Sequence, residues 1–246
     1  MLYVVGFGPG SFGGMTVDAE KAISLCKTVV GYTVYNDILR EFFPDKEYIS
    51  TAMRGETERV VIAVEKAKSG IDTALVCSGD SGVYGMAGLA IEAAHEYGLD
   101  EENIEIIPGV SAAMSGAAVL GAPLTHDFAV ISLSDLMTPW EKIEKRLECA
   151  ADADLSVVLY NPSSKKRSDY LAKACDIMMK YKSGETVCGY VKNIGRFGQE
   201  SGVMSLAELR DFQADMFTTV FVGNSETKRV GGKIVTPRGY KSEKQI

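Results

Sequence analysis

The chain has 246 residues, of which 46% are hydrophobic and 24% are charged, the balance of an ordinary globular protein. Its formal net charge of −7 argues against non-specific binding to nucleic acid and offers no basic face to an anionic membrane. The five cysteines include no C-x-x-C pair and no zinc or iron–sulfur spacing. The composition therefore predicts one large or two modest domains in the reducing cytoplasm, with no metal held by the protein.

The N-terminal segment predicts a strand at residues 2–5, the loop GFGPGS at 6–11, and a helix capped by Thr16. The loop is similar to the glycine fingerprint of dinucleotide-binding folds, but Ser11 stands where the third glycine belongs. The next predicted strand, 28–31, ends without an acidic residue that could hold a ribose. A dinucleotide is therefore disfavoured. The apolar N-terminus has no basic leader and predicts a strand, not a signal peptide.

A polar loop is predicted at residues 50–57, followed by an amphipathic helix. The apolar stripe of this helix consists of Val60, Val61, Val64 and Ala67, which recur at helical spacing. The stripe predicts a helix that packs one face on a sheet.

The stretch TALVCSGDSGVYG, at residues 73–85, is the centre of the predicted site. It predicts a buried strand at 74–77, a glycine-rich turn, and a helix at 86–94. Strand, tight turn and helix in this order open a pocket at the carboxyl edge of a parallel sheet. The glycines let backbone N–H groups approach a ligand, and Asp80 places a carboxylate at the rim. The alternative, that Asp80 only caps the turn or the helix, remains open.

A second glycine turn repeats the pattern. The predicted strand at 104–107 ends in PGVSAA at 108–113, and a helix of small residues follows at 114–120. The segment Gly-Ala-Pro at 121–123 breaks that helix and is the best candidate linker. We therefore predict an N-terminal α/β domain at 1–121 and a C-terminal α/β domain at 122–246.

The second half repeats the alternation of strands and helices. Its strands are predicted at residues 128–133, 155–160, 186–191 and 218–222. Thr138 and Ser205 each begin a capping-box pattern that predicts a helix start. Polar turns follow strands in both halves, so a ligand is expected in the cleft between the two domains.

GFGPGS, CSGDSGVYG at 77–85 and PGVSAA resemble motifs of the tetrapyrrole methyltransferases, which use S-adenosylmethionine. Five further motifs resemble the cobalamin-pathway C-17 methyltransferases of that superfamily: GYTVYNDIL (31–39), STAMRGETERV (50–60), HDFAVISLSDLMTPWEKIEKRL (126–147), YNPSSKKR (160–167) and TPRGY (236–240). Those enzymes methylate C-17 of precorrin-3B or cobalt-factor III and contract the macrocycle.

The resemblance implies two α/β domains with the active site in the cleft between them, S-adenosylmethionine as cofactor, and a homodimer. It implies a tetrapyrrole substrate, with or without cobalt. Three alternatives stay open: a superfamily member that acts on another carbon or substrate, a non-catalytic tetrapyrrole carrier, and a nucleotide-dependent α/β oxidoreductase.

The resemblance also implies site residues, position by position. The implied cofactor contacts are Pro9, Ser78, Gly79, Asp80, Val83, Ser111, Ala112, Asn161, Lys192 and Asn193. The implied contacts with the tetrapyrrole and its carboxylates are Gly8, Gly10, Arg54, Lys165, Lys166 and Arg167. Two structural alternatives to substrate binding stay open. The glycines would only form a tight turn, and the basic residues would only be solvated surface charges.

His126 and Asp127 are the candidates for proton transfer during ring contraction. They stand side by side at the predicted domain junction, beside the most family-specific block. A capping or structural role for His126 is the alternative.

Overall fold

The computed structural model describes residues 1–164 and 167–240. The chain packs as two compact units, Met1–Ala112 and Ala113–Ile246, and both combine helices with a β-sheet. The α/β class predicted from the sequence is confirmed. Lys165 and Lys166, predicted to bind substrate carboxylates, lie outside the described residues. None of the described helices combines the length and apolar character that a bilayer crossing needs.

The first unit is built on a five-stranded parallel sheet with the strand order β3-β2-β4-β1-β5. The strands are β1 (Leu2–Gly6), β2 (Thr28–Tyr32), β3 (Glu47–Thr51), β4 (Thr73–Cys77) and β5 (Ile104–Ile107). The central strands β1 and β4 are almost entirely buried, as expected for a parallel sheet that is covered on both faces. Because all five strands run the same way, their carboxyl ends meet at one edge of the sheet.

Four helices cover this sheet: α1 (Val17–Leu25), α2 (Thr33–Phe42), α3 (Glu56–Lys68) and α4 (Ala87–Glu96). Apolar residues of α3 and α4 form one core with the strands, and those of α1 and α2 form another. Thr16 caps α1 as predicted, because its Oγ1 accepts the N–H of Ala19 at 3.1 Å. The predicted loop at 50–57 is partly wrong, since Ser50 and Thr51 end β3.

The second unit contains a mixed five-stranded sheet with the order β10-β9-β11-β8-β7. Its strands are β7 (Phe128–Ser132), β8 (Ser156–Tyr160), β9 (Val187–Lys192), β10 (Glu200–Ser205) and β11 (Thr218–Val222). β7 and β8 are parallel, and β11 runs antiparallel to both β8 and β9. β8 and β9 therefore point the same way, so their carboxyl ends lie at the same edge.

The helices of the second half are α5 (Ala112–Leu120), α6 (Trp140–Asp152), α7 (Tyr170–Met178) and α8 (Leu206–Arg210). The Ser205 capping box is confirmed, since Ser205 and Glu208 exchange hydrogen bonds of 2.7 and 3.2 Å between backbone N–H and side-chain oxygen. The Thr138 box is wrong. Pro139 occupies the N-cap of α6, without a side-chain hydrogen bond, because proline favours the extended backbone that precedes a helix.

A small third sheet completes the second unit. β6 (Gly121–Ala122), β12 (Lys228–Val230) and β13 (Lys233–Val235) form it in the order β12-β13-β6. Most of the segment predicted as a linker is thus paired: Gly121 is in register with Ile234, and Ala122 with Val235.

Candidate active site

The loops that follow β1 and β4 are joined by a pair of glycines. Gly8 donates its N–H to the carbonyl of Gly79 at 3.0 Å, and Gly79 donates to the carbonyl of Gly8 at 2.8 Å. Their φ angles are +78° and +74°, a left-handed backbone that glycine adopts at little cost. The predicted substrate-side glycine Gly8 and the predicted cofactor residue Gly79 are therefore direct neighbours.

Asp80 connects the loop after β4 with the loop after β5. Its Oδ1 accepts the backbone N–H groups of Gly82 at 2.8 Å and Val83 at 2.9 Å. Its Oδ2 accepts the N–H of Gly109 at 3.0 Å. Asp80 therefore has the turn-forming role that the sequence left open. A carboxylate offers about four acceptor positions, and backbone N–H groups of the described residues occupy three of those of Asp80.

The backbones at this edge approach so closely that only glycine fits at two positions. A Cβ on Gly6 would lie 2.7 Å from both the carbonyl oxygen of Gly79 and the nitrogen of Ser81. A Cβ on Gly109 would lie 2.2 Å from the carbonyl oxygens of Gly6 and Gly79. The buried Ser81 hydroxyl also donates to the carbonyl of Ile107 at 3.1 Å. The loops after β1, β4 and β5 thus form one continuous backbone surface.

Seven of the predicted cofactor residues lie on these three loops or, for Ala112, at the start of α5 directly after the third loop, and the structure brings the loops together. The seven are Pro9, Ser78, Gly79, Asp80, Val83, Ser111 and Ala112. A Cβ added to Gly79 would lie 3.6 Å from the Cα of Ser111, so the loops after β4 and β5 are in van der Waals contact range there. Gly10, with φ +126°, follows on the first loop and needs glycine for the same conformational reason as Gly8.

The turn after β3 carries Arg54 at the same edge of the sheet. Arg54 is exposed and has a φ of +70°, which is unusual for a residue with a long side chain. Gly55 closes the turn by donating its N–H to the carbonyl of Ala52 at 3.2 Å. The predicted substrate residue therefore sits in a strained turn.

A second arginine, Arg59, lies beneath this turn and was not predicted. It is only 4% exposed. Its Nε donates to Thr51 Oγ1 at 2.8 Å, its Nη2 to the carbonyl of Ala52 at 3.0 Å, and its Nη1 to Met86 Sδ at 3.4 Å. Position 59 is one helical turn before the buried Ala63, so periodicity places it on the inner face, but arginine is rarely buried there.

Cys77, at the end of β4, is not suited to be a nucleophile. Burial raises the pKa of its thiol to about 11, although the charge of Arg59 opposes the shift. The thiolate is the reactive form, and it is scarcely populated at neutral pH.

In the second unit, three predicted cofactor residues lie at the carboxyl ends of β8 and β9. Asn161 donates from Nδ2 to Ser132 Oγ at 2.9 Å. Lys192 Nζ lies 2.9 Å from Asp215 Oδ2, and the hydrogen bond with Asp215 raises the pKa of Lys192. Asn193 follows directly. The structure therefore places all three at one edge of this sheet, with the Lys192 charge already paired.

Arg167, predicted to bind a substrate carboxylate, has partners within its own unit. Its side chain is 16% exposed, and its Nη1 donates to Asp135 Oδ1 at 3.0 Å and to Ser134 Oγ at 2.8 Å. The Tyr170 hydroxyl donates to Asp135 Oδ2 at 2.6 Å. This hydrogen bond, together with the contribution of Arg167, lowers the pKa of Asp135. We call Asp135, Arg167 and Tyr170 the latch, because they connect the 133–139 loop to Arg167 and to Tyr170, the first residue of α7.

His126 and Asp127 lie at the other edge of the second sheet. They precede β7, and the carbonyl of Asp127 accepts the N–H of Ser156, the first residue of β8, at 3.3 Å. Their side chains are 47% and 83% exposed, and Asp127 donates its N–H to His126 Nδ1 at 2.8 Å. Asn161 follows the far end of β8, roughly 15 Å away at about 3.3 Å per residue. The structure does not bring the proposed acid–base pair to the Asn161 edge.

Backbone strain coincides with the predicted site. Among the described residues, those other than glycine with a positive φ are Arg54, Tyr84, Asp154, Asn161 and Asn193. Three of them are predicted site residues, and Tyr84 adjoins the predicted residue Val83. Strained backbone persists where the surroundings enforce it, and it concentrates at functional sites. Asp154 is elsewhere and is held by Ser225 and Lys182.

The family model described as Tetrapyrrole (Corrin/Porphyrin) Methylases matches residues 1–210. The chain belongs to this family. It is 45% identical over 240 residues to the probable cobalt-factor III C(17)-methyltransferase of Salmonella typhimurium, covering 98% of this chain and 99% of that protein. This tetrapyrrole methylase is thus similar, over nearly its whole length, to a protein named for the activity that its motifs imply.

Two solved structures are similar to this tetrapyrrole methylase. A crystal structure of the methyltransferase CobJ shares 34% identity and a TM-score of 0.86, covering 96% of this chain and 99% of that one. Uroporphyrin-III C-methyl transferase from Thermus thermophilus, complexed with S-adenyl homocysteine, shares 17% identity and a TM-score of 0.70, covering 90% of this chain and 96% of that one. The second likeness shows the fold alone.

Proposed function

We propose that this protein transfers the methyl group of S-adenosylmethionine to C-17 of cobalt-factor III or precorrin-3B and contracts the macrocycle. The observation that carries the proposal is the convergence of the loops after β1, β4 and β5 through Asp80 and four glycines: Gly6, Gly8, Gly79 and Gly109. The similarity to the Salmonella typhimurium protein supports the substrate class.

The residues on these loops fit a folded S-adenosyl cofactor. Positions 78, 79, 111 and 112 carry small side chains or none, which leaves room for a ligand against the backbone. The carboxylate of Asp80 suits a ribose hydroxyl or an amino group, and its charge suits a cation. In the second unit, Asn161, Lys192 and Asn193 remain predicted cofactor contacts.

The chemistry that the cofactor supplies is a methyl group on a sulfonium, ready for in-line displacement by carbon. Such a step needs alignment and exclusion of water more than it needs a strong base. The rigid backbone surface of the first unit provides alignment. Its loops also expose the large apolar side chains of Met53 and Tyr84. We infer that these contact the flat apolar face of a tetrapyrrole, while Arg54 binds one of its carboxylates.

The assembly and location are proposals of the same kind. We expect a homodimer in the cytoplasm. Sedimentation velocity at several protein concentrations tests the dimer, and a monomer at all of them would contradict it.

Calorimetric titration of the purified protein with S-adenosylhomocysteine and with NAD tests the proposed cofactor. We expect S-adenosylhomocysteine to bind at one site per chain and NAD to give no signal. Binding of NAD alone would favour the oxidoreductase alternative. Binding of cobalt-factor III without any binding of S-adenosylhomocysteine would favour a tetrapyrrole carrier.

A further inference from the structure

We propose that Arg59 is a positioning residue that fixes the turn carrying Arg54 against the end of the 78–86 loop. The proposal rests on the proposed function, because it assigns Arg54 to a substrate carboxylate. Arg59 itself is buried beneath the turn, so its proposed role is to hold Arg54 in place and not to bind the substrate.

The first argument is the charge of Arg59. Its guanidinium is almost completely buried, and it forms no ion pair with any carboxylate in the part of the chain that the structure describes. Burying an unpaired charge is costly, so the fold retains it at the expense of stability. All three of its hydrogen-bond acceptors are neutral groups. Such a residue calls for a role beyond packing.

The second argument is what Arg59 connects. Thr51 ends β3, Ala52 belongs to the Arg54 turn, and Met86 ends the loop that begins with the predicted cofactor residues. The ring of Tyr32, the last residue of β2, lies 6.0 Å from the guanidinium carbon. The planar guanidinium of Arg59 therefore contacts three segments at the carboxyl edge: Tyr32, residues 51–52 and Met86. Lysine offers donors from a single point and cannot reproduce that geometry.

The third argument is the strain at Arg54. The carbonyl of Ala52 accepts both Arg59 Nη2 and the N–H of Gly55, so Arg59 holds the same turn that keeps Arg54 at a φ of +70°. Strained residues persist only when their surroundings over-determine them. Without these hydrogen bonds the turn can relax, and the backbone position from which the Arg54 side chain extends is no longer fixed.

A double-mutant cycle tests the proposal. The wild type, Arg54→Ala, Arg59→Lys and the double variant are compared by KM for cobalt-factor III, by kcat and by Tm. We expect Arg59→Lys to raise KM about tenfold in the wild type and to cause no further rise in KM in the Arg54→Ala background. The coupling energy between the two residues is then about 1.4 kcal/mol. The fall in Tm should be equal in both backgrounds, because stability does not depend on Arg54 recognising a substrate.

The matched control is Arg40→Lys. Arg40 is an exposed arginine of the same unit, stacked 4.4 Å from the ring centroid of Tyr48, and its replacement should leave KM unchanged. Independent effects of the two substitutions on KM, or an unchanged KM in Arg54→Ala, would overturn the positioning role. Absence of methyl transfer by the wild type would instead overturn the proposed function, and the positioning role with it.

Discussion

The carboxylate of Asp80 accepts the backbone N–H of Gly109 at 3.0 Å and so joins the loop after β4 to the loop after β5. Strand β1 lies between those two strands, and its own loop is attached through the Gly8–Gly79 pair. A single side chain thus fixes the relative positions of backbone segments that are distant in sequence. Preorganisation of this kind lowers the entropy that ligand binding must overcome.

The first prediction replaces Asp80 by Asn. The amide keeps one acceptor for Gly82 and Val83 but presents N–H₂ to the N–H of Gly109, so that link is lost. We expect a loss of about 1.5–3 kcal/mol in the free energy of unfolding and roughly tenfold weaker binding of S-adenosylhomocysteine. Urea denaturation and calorimetry measure the two quantities. Unchanged affinity with an intact fold would remove Asp80 from the cofactor site.

The second prediction adds one methyl group at Gly6. Its Cβ would lie 2.7–2.8 Å from atoms of Gly79, Ser81 and Gly109, so the three loops must separate. We expect Gly6→Ala to cost about 1–3 kcal/mol of stability and to weaken S-adenosylhomocysteine binding. Gly13→Ala is the control, because its Cβ would meet nothing within 4 Å. Equal behaviour of the two variants would contradict the close convergence of the loops.

The third prediction separates strain from recognition at Arg54. Arg54→Gly and Arg54→Ala both remove the guanidinium, but only glycine relieves the left-handed backbone. We expect Arg54→Gly to be about 1 kcal/mol more stable than Arg54→Ala, while both raise KM for cobalt-factor III to the same extent. Thermal denaturation and steady-state kinetics give the comparison. A wild-type KM in either variant would assign Arg54 to the solvated surface.

The fourth prediction concerns the latch and pH. The folded pKa of Asp135 lies below its ordinary value of 3.8, so its stabilising effect is present above that value and is lost as pH falls through the lowered pKa. Asp135→Asn should therefore be less stable than the wild type at pH 6, and the difference should shrink as pH falls below about 4. Tm measured from pH 6 to pH 3 tests this. A difference independent of pH would show that the Asp135 charge does not stabilise the latch.

The fifth prediction concerns His126. Because the exposed His126–Asp127 pair lies at the edge of the second sheet opposite Asn161, we expect His126→Ala to bind S-adenosylhomocysteine normally and to give the contracted product. The sequence-based hypothesis of proton transfer predicts instead a methylated product that is not contracted. Mass spectrometry of the anaerobic reaction distinguishes the two, and an uncontracted product would restore His126 as a catalytic residue.

The glycine loops could be predicted from the sequence because a strand, a tight turn and a helix are local signals. The cap at Thr16 and the box at Ser205 were predicted for the same reason, since each depends on residues at most three positions apart. The Thr138 box failed because Pro139 took the cap position with its own backbone preference. Signals between residues that are close in sequence were therefore enough to predict most helices and strands of the first unit.

The remaining features depend on contacts between distant residues. Arg167 is predicted to bind a substrate carboxylate, and its ion pair with Asp135, which lies 32 positions earlier, could not be predicted from spacing. The burial of Arg59 could not be predicted because its acceptors lie on two segments that are distant in sequence, residues 51–52 and Met86. The pairing of β6 with β13 could not be predicted because β13 is more than a hundred residues away along the chain. Spacing in one sequence does not reveal such pairings.

The most direct test of the central claim is to follow the transferred methyl group. The protein is incubated anaerobically with cobalt-factor III and S-adenosylmethionine labelled with ¹³C in its methyl group, and the product is examined by carbon NMR and mass spectrometry. We predict a single labelled methyl carbon, bonded to C-17 of a contracted macrocycle. A label at any other carbon, or no transfer of label to the tetrapyrrole, would contradict the proposed function.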